Sequence, residues 1–463
     1  MTHVHFIGIG GSGLSAIARL LLESGYTVSG SDRVMSPFAA DVQAAGATVY
    51  LGHSPANIAG ADWVVRSSAI ADDNPEVRAA LAAKIPVYKR ADFLGQLMER
   101  KTGIAVAGTH GKTTTTAMLA WALTRLKQDP SYLIGGVSGN LGVNAHAGKG
   151  QAFVIEADEY DRMFLGLKPR IEVVTNLEHD HPDCYPTFAD MESAFESFVD
   201  LLPANGTLVA CADDPGTMGL VQRAQRNGRQ VVSYSVRGEI TVASPHWVMA
   251  RNLRTNEQGG FSFEAYSNLD PRHLKGQPVA LQVPGRHNVQ NALAAMAVAG
   301  TLKLSLEKTA AALEEFNGTG RRFEKRGEAR GVRVFDDYAH HPTEIRATLA
   351  AARARYPKQR IWAVWQPHTY SRTRTLFDAF LDAFTDADEV IVTEIYAARE
   401  GPEQAFSADQ IVKVMPHDSA RFIPQLSDVS DFLIQHLRSG DVLLVLSAGD
   451  ADRVSAEVLA GLK

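Results

Sequence analysis

The chain has 463 residues, of which 45% are hydrophobic and 21% are charged, and its formal net charge is −6. This length predicts several domains, since one domain usually takes about 100–200 residues, and the slightly acidic balance argues against a nucleic-acid partner. No apolar run of about 20 residues could span a membrane, the N-terminus lacks the basic segment of a signal peptide, and the two cysteines form no CxxC pair. We therefore expect a cytoplasmic protein, monomeric or homodimeric, without membrane insertion.

The N-terminal segment alternates short apolar runs with helical patterns. Strands are predicted at VHFIGIG, YTVSGSD, TVYLG, WVVRSSA and VYKR, and helices at SGLSAIARLLLESG and PEVRAALAAK. Strands that alternate with helices form a parallel sheet. We predict a Rossmann-like domain over residues 1–101, with the polar stretch 98–103 as the linker to the next unit.

A glycine-rich loop follows the first predicted strand. GIGGSG places Gly8, Gly10 and Gly13 in a GxGxxG pattern, and Asp32 ends the next strand, 19 residues after Gly13. Such glycines let the backbone approach a pyrophosphate at a helix N-terminus, and the carboxylate suits a ribose. The same geometry fits NAD or a UDP-sugar, and a glycine turn without any ligand is the third interpretation.

A second phosphate loop opens the next unit, where GTHGKTTTT stands between the strand GIAVAG and the helix AMLAWALTRL. The strict P-loop pattern has a glycine where this chain has Val106, and the glycine is displaced to Gly108. In a P-loop, Lys112 would reach the phosphates and Thr113 would ligate Mg²⁺. We therefore predict ATP binding, with a purely structural turn as the alternative.

Acidic residues and histidines follow two further strands. Glu156, at the end of the strand AFVIEAD, can complete a Mg²⁺ shell. Glu159 and Asp161 lie in the same segment, where a solvated turn is an equal alternative. In TNLEHDHPDCY, His179 or His181 could ligate a second metal ion, although spacing alone favours a polar surface loop.

The rest of the chain completes the central unit and adds a third. Short strands with frequent Gly, Asn and Pro over 230–283 predict an antiparallel edge, and a helix returns at 284–302. Beyond NGTGRR, the strands VRVFDD, IWAVWQP, DEVIVTE and DVLLVLSAG alternate with helices. We predict a central P-loop ATPase-like parallel-sheet domain over 102–319 and a C-terminal Rossmann-like α/β domain over 320–463.

These motifs, in this order, resemble the Mur ligase family over the whole chain. The resemblance is carried by HFIGIGGSG, SGSD, SSAI, GTHGKTTTT, EADEYD, TNLEHDHPD, PGRHNVQNALAA, GTGRRFE, DDYAHHPTE and QPHTYSRTR. It implies that the first domain binds a UDP-sugar, that the second binds ATP, and that the third closes over both and helps to bind an amino acid. The implied reaction joins L-alanine to the lactyl carboxylate of UDP-N-acetylmuramate through an acyl phosphate, in peptidoglycan precursor synthesis.

The resemblance also implies roles for individual residues. The UDP-sugar site would comprise Gly8, Gly10, Gly11, Ser12, Gly13, Asp32, Ser67, Ser68, Asn74 and His110. The ATP site would comprise Gly108, Thr109, His110, Gly111, Lys112, Thr113, Thr114, His287, Asn291, Arg322 and Asp337. Two Mg²⁺ ions, for which Mn²⁺ could substitute, would be held by Thr113, Glu156 and His181. Catalysis would fall to Lys112, Glu156, His181 and Arg322, and the amino acid would contact His341, His368 and Arg372.

Several alternatives stay open from the sequence. The family includes a recycling ligase that takes a tripeptide, but it is expected to differ at QPHTYSRTR and after EADEYD, so L-alanine is favoured. An NAD-dependent oxidoreductase would leave the P-loop, EADEYD and QPHTYSRTR without a role. A non-catalytic nucleotide-binding regulator is disfavoured because Lys112, Thr113, Glu156 and His181 are all intact. The general base is open among His340, His341 and a carboxylate such as Glu159.

Overall fold

Three α/β units make up the protein in a computed structural model, which describes residues 1–238, 244–270, 274–401 and 405–463. The predicted fold class is confirmed, with a Rossmann-like first sheet, a P-loop on the central sheet and a mostly parallel third sheet. Within the described part of the chain, every helix is too short or too polar to cross a bilayer. The first two units share one hydrophobic cluster that includes Phe93, Met98, Phe164 and Phe195, so their cores are continuous.

The N-terminal sheet has five parallel strands in the order β3-β2-β1-β4-β5. Its strands are β1 (His3–Ile7), β2 (Thr27–Asp32), β3 (Thr48–Leu51), β4 (Trp63–Arg66) and β5 (Val87–Lys89). Its helices are α1 (Ser12–Glu23), α2 (Pro37–Ala44), α3 (Pro75–Ala82) and α4 (Arg90–Met98), with a 3₁₀ turn at Pro55–Ile58. The strand order reverses between β1 and β4, so the loops after β1, β2 and β4 open on one crevice.

The central sheet has ten strands in the order β15-β14-β13-β12-β11-β10-β6-β9-β7-β8. They are β6 (Thr102–Ala107), β7 (Ser131–Leu133), β8 (Ala145–His146), β9 (Ala152–Glu156), β10 (Ile171–Val174), β11 (Thr207–Cys211), β12 (Gln230–Ser235), β13 (His246–Thr255), β14 (Phe261–Ser267) and β15 (Gln277–Ala280). The helices are α5 (Lys112–Arg125), α6 (Phe188–Val199), α7 (Thr217–Arg226), α8 (Arg286–Thr301) and α9 (Leu306–Glu314), with a 3₁₀ segment at Tyr160–Gly166. Since β6 lies between β9 and β10 and all three are parallel, the loops that follow them meet at one edge of the sheet.

Two details of the sequence interpretation are wrong. The antiparallel edge begins only at β13, because α7 returns the chain so that β12 pairs in parallel with β11, and β13 in turn pairs in parallel with β12. The linker is also shorter than predicted. Met98 is the fully buried last residue of α4 and Thr102 already belongs to β6, because the apolar side chain of Met98 joins the shared core.

The C-terminal sheet has six strands in the order β16-β17-β21-β18-β19-β20, and only β16 is antiparallel to its neighbour. They are β16 (Glu324–Ala329), β17 (Val332–Asp337), β18 (Ile361–Gln366), β19 (Glu389–Val392), β20 (Ala420–Phe422) and β21 (Val442–Ser447). The helices are α10 (Pro342–Arg355), α11 (Tyr370–Thr375), α12 (Phe377–Leu381), α13 (Asp409–Val412), α14 (Leu426–His436) and α15 (Asp452–Gly461). The loops after β17 and β18 face the central unit and bring DDYAHHPTE and QPHTYSRTR to it.

Candidate functional site

The first glycine loop is built for a close backbone approach. Gly8 has φ +89°, a conformation that glycine adopts without strain. A methyl group on Gly10 would lie 2.8 Å from Oδ2 of Asp32, and the same oxygen accepts the N–H of Gly10 at 2.9 Å. A methyl group on Gly13 would collide with the guanidinium of Arg90. Arg90, which the sequence interpretation missed, therefore puts a positive charge at the start of α1, where a diphosphate would lie.

Of the other residues predicted for the UDP-sugar, Ser67, Ser68 and Asn74 belong to the segment after β4, whereas His110 lies in the central unit. Ser67 and Ser68 follow β4, and the Cβ of Ser67 would be 3.2 Å from a methyl group on Gly8. Asn74 uses its side-chain oxygen to accept the N–H of Glu76 at 2.9 Å, which caps α3. The carboxylate of Asp32 likewise orders its own loop. A ligand at Asn74 or Asp32 would have to share these hydrogen bonds.

The backbone conformation of the second loop explains why its first glycine stands at position 108. Gly108 has φ +131° and Gly111 has φ +82°, both in the region that favours glycine. A methyl group on Gly108 would run into the hydroxyl of Thr175, and one on Gly111 would lie 2.7 Å from Oδ1 of Asn291. Val106 is a buried residue of β6, so the strand continues past the position where the strict P-loop pattern has its first glycine.

Lys112 lies over this loop. Its Nζ donates to the carbonyl oxygens of Gly108 and Thr109 at 2.6 and 3.1 Å, and it lies 2.8 Å from Oε1 of Glu159. Burial opposes the charge of the ammonium group, yet Glu159 keeps the pKa of Lys112 above its ordinary value. The second carboxylate oxygen of Glu159 is buried without a hydrogen-bond partner among the described residues, which marks a place for a cation or a donor.

Thr113 and Glu156 fit the ligand set of a hard divalent cation. The hydroxyl of Thr113 is 3.0 Å from Oε1 of Glu156, about the spacing of adjacent oxygens around Mg²⁺ at roughly 2.1 Å. Oε2 of Glu156 accepts the N–H of Gly135 at 2.7 Å, and a methyl group on Gly135 would collide with this carboxylate. Burial raises the pKa of Glu156, so a cation at this position would relieve the cost of its buried charge.

His181 adds a nitrogen ligand beside them. It has φ +53°, and its Nε2 is 3.4 Å from Oε1 of Glu159 and 3.7 Å from Oδ2 of Asp180. Burial disfavours its protonation, but Asp180 and Glu159 raise the pKa of His181 overall. The imidazole and the unpartnered oxygen of Glu159 together suit a second cation, as the sequence predicts for His181.

Arg372 crosses from the C-terminal unit into this cluster. Its Nε donates to Oδ1 of Asp180 at 2.6 Å, and its Nη1 is 3.1 Å from Nδ1 of His368. Both members of the ion pair are less than 5% exposed, and Asp180 holds the pKa of Arg372 above its ordinary value despite burial. The predicted partner of the amino acid's carboxylate therefore already has a carboxylate partner. The sequence interpretation missed Asp180, although it lies next to His181.

His110 and His341 meet where the central and C-terminal units touch. Nε2 of His110 is 3.3 Å from Oε2 of Glu178, and Nδ1 is 3.3 Å from Oε1 of Glu344. Burial would lower the pKa of His110, but the two carboxylates raise it to about 9. The sequence interpretation missed both glutamates. For Glu344 the signal was present, because HPTE is a capping-box pattern and Glu344 accepts the backbone N–H groups of His340 and His341.

A cavity of about 240 Å³ lies between the central and C-terminal units. Seven of the residues predicted for ATP line it, namely His110, Gly111, Thr114, His287, Asn291, Arg322 and Asp337. Burial lowers the pKa of His287 to about 4 and raises that of Asp337 to about 6, so His287 is neutral at neutral pH. Lys112 and Thr113 lie outside the lining of this cavity, on the side of Glu156 and Glu159.

Family models match almost the whole chain. The Mur ligase family catalytic domain matches residues 3–102, the Mur ligase middle domain matches 106–299, and the Mur ligase glutamate ligase domain matches 321–449. A UDP-N-acetylmuramate–L-alanine ligase of Renibacterium salmoninarum is 43% identical over 99% of this chain and 96% of its own length. The structure of a UDP-N-acetylmuramate–alanine ligase from Thermotoga maritima matches with a TM-score of 0.79 and 29% identity, covering 99% of both chains. A murein peptide ligase from Psychrobacter arcticus matches with a TM-score of 0.71 and 28% identity, over 100% of this chain and 99% of that one.

Proposed function

Because the chain belongs to the Mur ligase family, we propose that it joins L-alanine to the lactyl carboxylate of UDP-N-acetylmuramate and converts ATP to ADP and phosphate. The observation that carries this proposal is the 43% identity to a UDP-N-acetylmuramate–L-alanine ligase across both chains. The two glycine loops support it, since one would hold the UDP diphosphate and the other the phosphates of ATP. In this role the units over 1–101, 102–319 and 320–463 would be the UDP-sugar, ATP and closing domains.

The charges around the P-loop suit the first chemical step. A lactyl carboxylate oxygen attacks the γ-phosphorus of ATP, the bond to the β–γ bridging oxygen breaks, and ADP leaves. The two reactants are both anions, so the site must supply positive charge between them. Lys112, protonated His110 and Arg322 would provide it from this chain. Mg²⁺, when bound at Thr113 and Glu156 and at His181 with Glu159, would neutralise further phosphate charge.

The second step forms the amide. The amine of L-alanine attacks the acyl phosphate carbonyl, and phosphate leaves from the tetrahedral adduct. Burial lowers the pKa of His340 to about 3 and that of His341 to about 4, so neither is a strong base. Burial opposes the charge of Glu159, but Lys112 and His181 hold its pKa below the ordinary value, so Glu159 is no stronger a base than the histidines, and the proton lost by the attacking amine can leave on the released phosphate.

The contact between the central and C-terminal units would protect the intermediate. An acyl phosphate hydrolyses in water, so its lifetime depends on a closed site. The buried pair of Arg372 and Asp180 spans the two units, and Arg322 lies 3.5 Å from Glu344 beside the cavity. We propose that Arg372 and His368 bind the acceptor's carboxylate. Asp180 would then share the guanidinium group of Arg372 with that carboxylate.

Phosphate release tests the proposal directly. The protein is mixed with ATP, Mg²⁺ and UDP-N-acetylmuramate, and L-alanine or the tripeptide L-alanyl-γ-D-glutamyl-meso-diaminopimelate is added in separate reactions. We expect release that requires both the sugar and L-alanine. Release only with the tripeptide would assign the protein to the recycling branch of the family, and no release with either would remove the ligase assignment.

A further inference from the structure

Two histidines and a glutamate form a compact cluster apart from the predicted Mg²⁺ ligands. His110 and Glu178 come from the central unit and His341 from the C-terminal unit, and the two imidazole rings are 4.6 Å apart between centroids. One ligand atom from each of the three residues lies within 4.8 Å of the others. Nitrogen-rich sets of this kind suit borderline transition metals, whereas Mg²⁺ prefers oxygen ligands.

Two of the three separations between the ligand atoms fit a tetrahedral centre, and the third, between the two histidine nitrogens, is within 4.8 Å. Oε2 of Glu178 is 3.3 Å from Nε2 of His110 and 3.7 Å from Nδ1 of His341. Ligand atoms at about 2.0–2.2 Å from Zn²⁺ lie about 3.3–3.6 Å apart in a tetrahedron. These two separations therefore need changes of only a few tenths of an ångström to take the ion, as the atoms now stand.

Of the two outer contacts on the other ring nitrogens, that of His341 is a hydrogen bond, whereas Nδ1 of His110 faces Glu344 without hydrogen-bond geometry. The second nitrogen of His110 is 3.3 Å from Glu344, and the second nitrogen of His341 is 3.4 Å from the backbone oxygen of His179. A carboxylate or a carbonyl on the non-ligating nitrogen fixes the ring and its tautomer. The hydroxyl of Thr343 holds Glu178 at 2.7 Å. A metal at Nδ1 of His341 would replace one contact, the N–H of Thr343 at 3.2 Å.

We propose that His110, Glu178 and His341 form a transition-metal site that takes Zn²⁺, separate from the Mg²⁺ ligands at Thr113 and Glu156. The ion would displace the proton of His110 and join the central unit to the C-terminal unit. Its effect on turnover rests on the proposed function: a ligase that must open to release ADP and product would be slowed by a metal that holds it closed.

Zinc binding can be measured without any substrate. The full-length protein is freed of metal, placed in excess Mg²⁺ to fill the oxygen sites, and dialysed against Zn²⁺ at increasing concentration. We expect one Zn²⁺ per chain in the wild-type protein. Glu178→Gln and His341→Asn should weaken binding at least about tenfold, whereas His246→Asn, which removes an exposed histidine elsewhere, should not.

The variants also locate the ion. Glu178→Gln keeps an acceptor for the Thr343 hydroxyl, and a melting temperature equal to wild type shows that it folds. An anomalous-scattering peak at the zinc edge between the three side chains would support the site. Unchanged binding in both variants, or loss of the ion in His181→Asn instead, would overturn it. Absence of zinc binding would not affect the proposed ligase activity, and a failed phosphate-release assay would not affect the zinc-binding result.

Discussion

The two glycine loops of the molecule look alike in sequence but are completed in different ways. The loop at Gly8–Gly13 is ordered by Asp32 and by Ser36, whose hydroxyl donates to the carbonyl of Gly10 at 2.8 Å. All of these contacts come from the N-terminal unit. The loop at 108–113 is bounded by side chains of its own unit as well. Two ion pairs also link its surroundings to the C-terminal unit, His110 with Glu344 and Asp180 with Arg372.

This difference indicates that the two loops have different roles, one in binding and the other in the reaction. Binding a nucleotide sugar needs only a formed crevice, so one domain can build it in advance. Transfer of a phosphoryl group needs positive charge and the exclusion of water at the moment of reaction, which a closing domain can provide. We therefore expect changes in the first loop to act on binding alone, and changes around the second loop to act on turnover and on closure together.

The largest effect is expected from Lys112→Met. The substitution removes the ammonium group beside Glu159 while keeping the length of the side chain. Loss of one preorganised charge at such a site costs about 10²–10³ in turnover, and we expect at least this loss in phosphate release. Affinity for UDP-N-acetylmuramate should not change, because that loop is built separately. Lys149→Met, at an exposed lysine, is the matched control, and equal losses in both variants would contradict the role of Lys112.

The next largest effect is expected from Asp180→Asn. Asp180 and Arg372 form a buried pair that joins two units, and breaking a buried pair by removing one partner costs about 3–5 kcal/mol. We expect a more open molecule, seen as a larger radius of gyration in small-angle scattering, together with a raised KM for L-alanine.

Asp183→Asn is the control for this change. Asp183 joins the same two units through Arg399, but that pair is partly exposed and should contribute only about 0–1 kcal/mol. If both substitutions opened the molecule equally, burial of the Asp180 pair would not be what holds the C-terminal unit.

Part of this picture could be predicted from the sequence. Alternating strands and helices gave the three sheets, and the glycine patterns located both loops. Glu178, Asp180 and Glu344 were missed because each acts on a residue far away in the chain, such as Glu344 on His110. The contacts of Asp180 and Glu344 with the other unit are set by how the C-terminal unit sits on the central one, although the capping box of HPTE marked Glu344 itself. The parallel pairing of β12 with β11 was missed because it depends on recognising the crossover helix α7 between them.

A smaller effect is expected from Gly10→Ala. Its methyl group would lie 2.8 Å from both Asp32 and Ser36, and overpacking of this kind costs about 1–3 kcal/mol. We expect a lower melting temperature and at least tenfold weaker binding of UDP-N-acetylmuramate, measured by calorimetry, with unchanged affinity for ATP. Gly11→Ala, whose nearest neighbour would be 3.5 Å away, should keep the wild-type melting temperature. A change in ATP affinity in Gly10→Ala would show that the two loops are coupled.

The smallest effect concerns acid stability of the N-terminal unit. Glu76 is fully buried, and it accepts hydrogen bonds from Ser31 and Asn57, both at 2.6 Å, and from the N–H of Ser54 at 3.1 Å. Burial opposes its charge, but these bonds and His5 lower the pKa of Glu76 from 4.5 to about 2. Because the folded pKa lies below the unfolded one, the stabilisation is present above pH 4.5 and is lost as the pH falls toward 2.

Glu76→Gln separates this group from all others that titrate in acid. Between pH 5.5 and 3.5 the wild-type protein should lose about 1.4 kcal/mol of unfolding free energy through Glu76, a loss that the glutamine variant cannot have. The difference in unfolding free energy between the wild-type protein and the variant, measured by urea unfolding, should therefore decrease by that amount over this range. Parallel curves for the two proteins would mean that the pKa of Glu76 is the same in the folded and unfolded states, so that its hydrogen bonds do not favour the carboxylate over the acid.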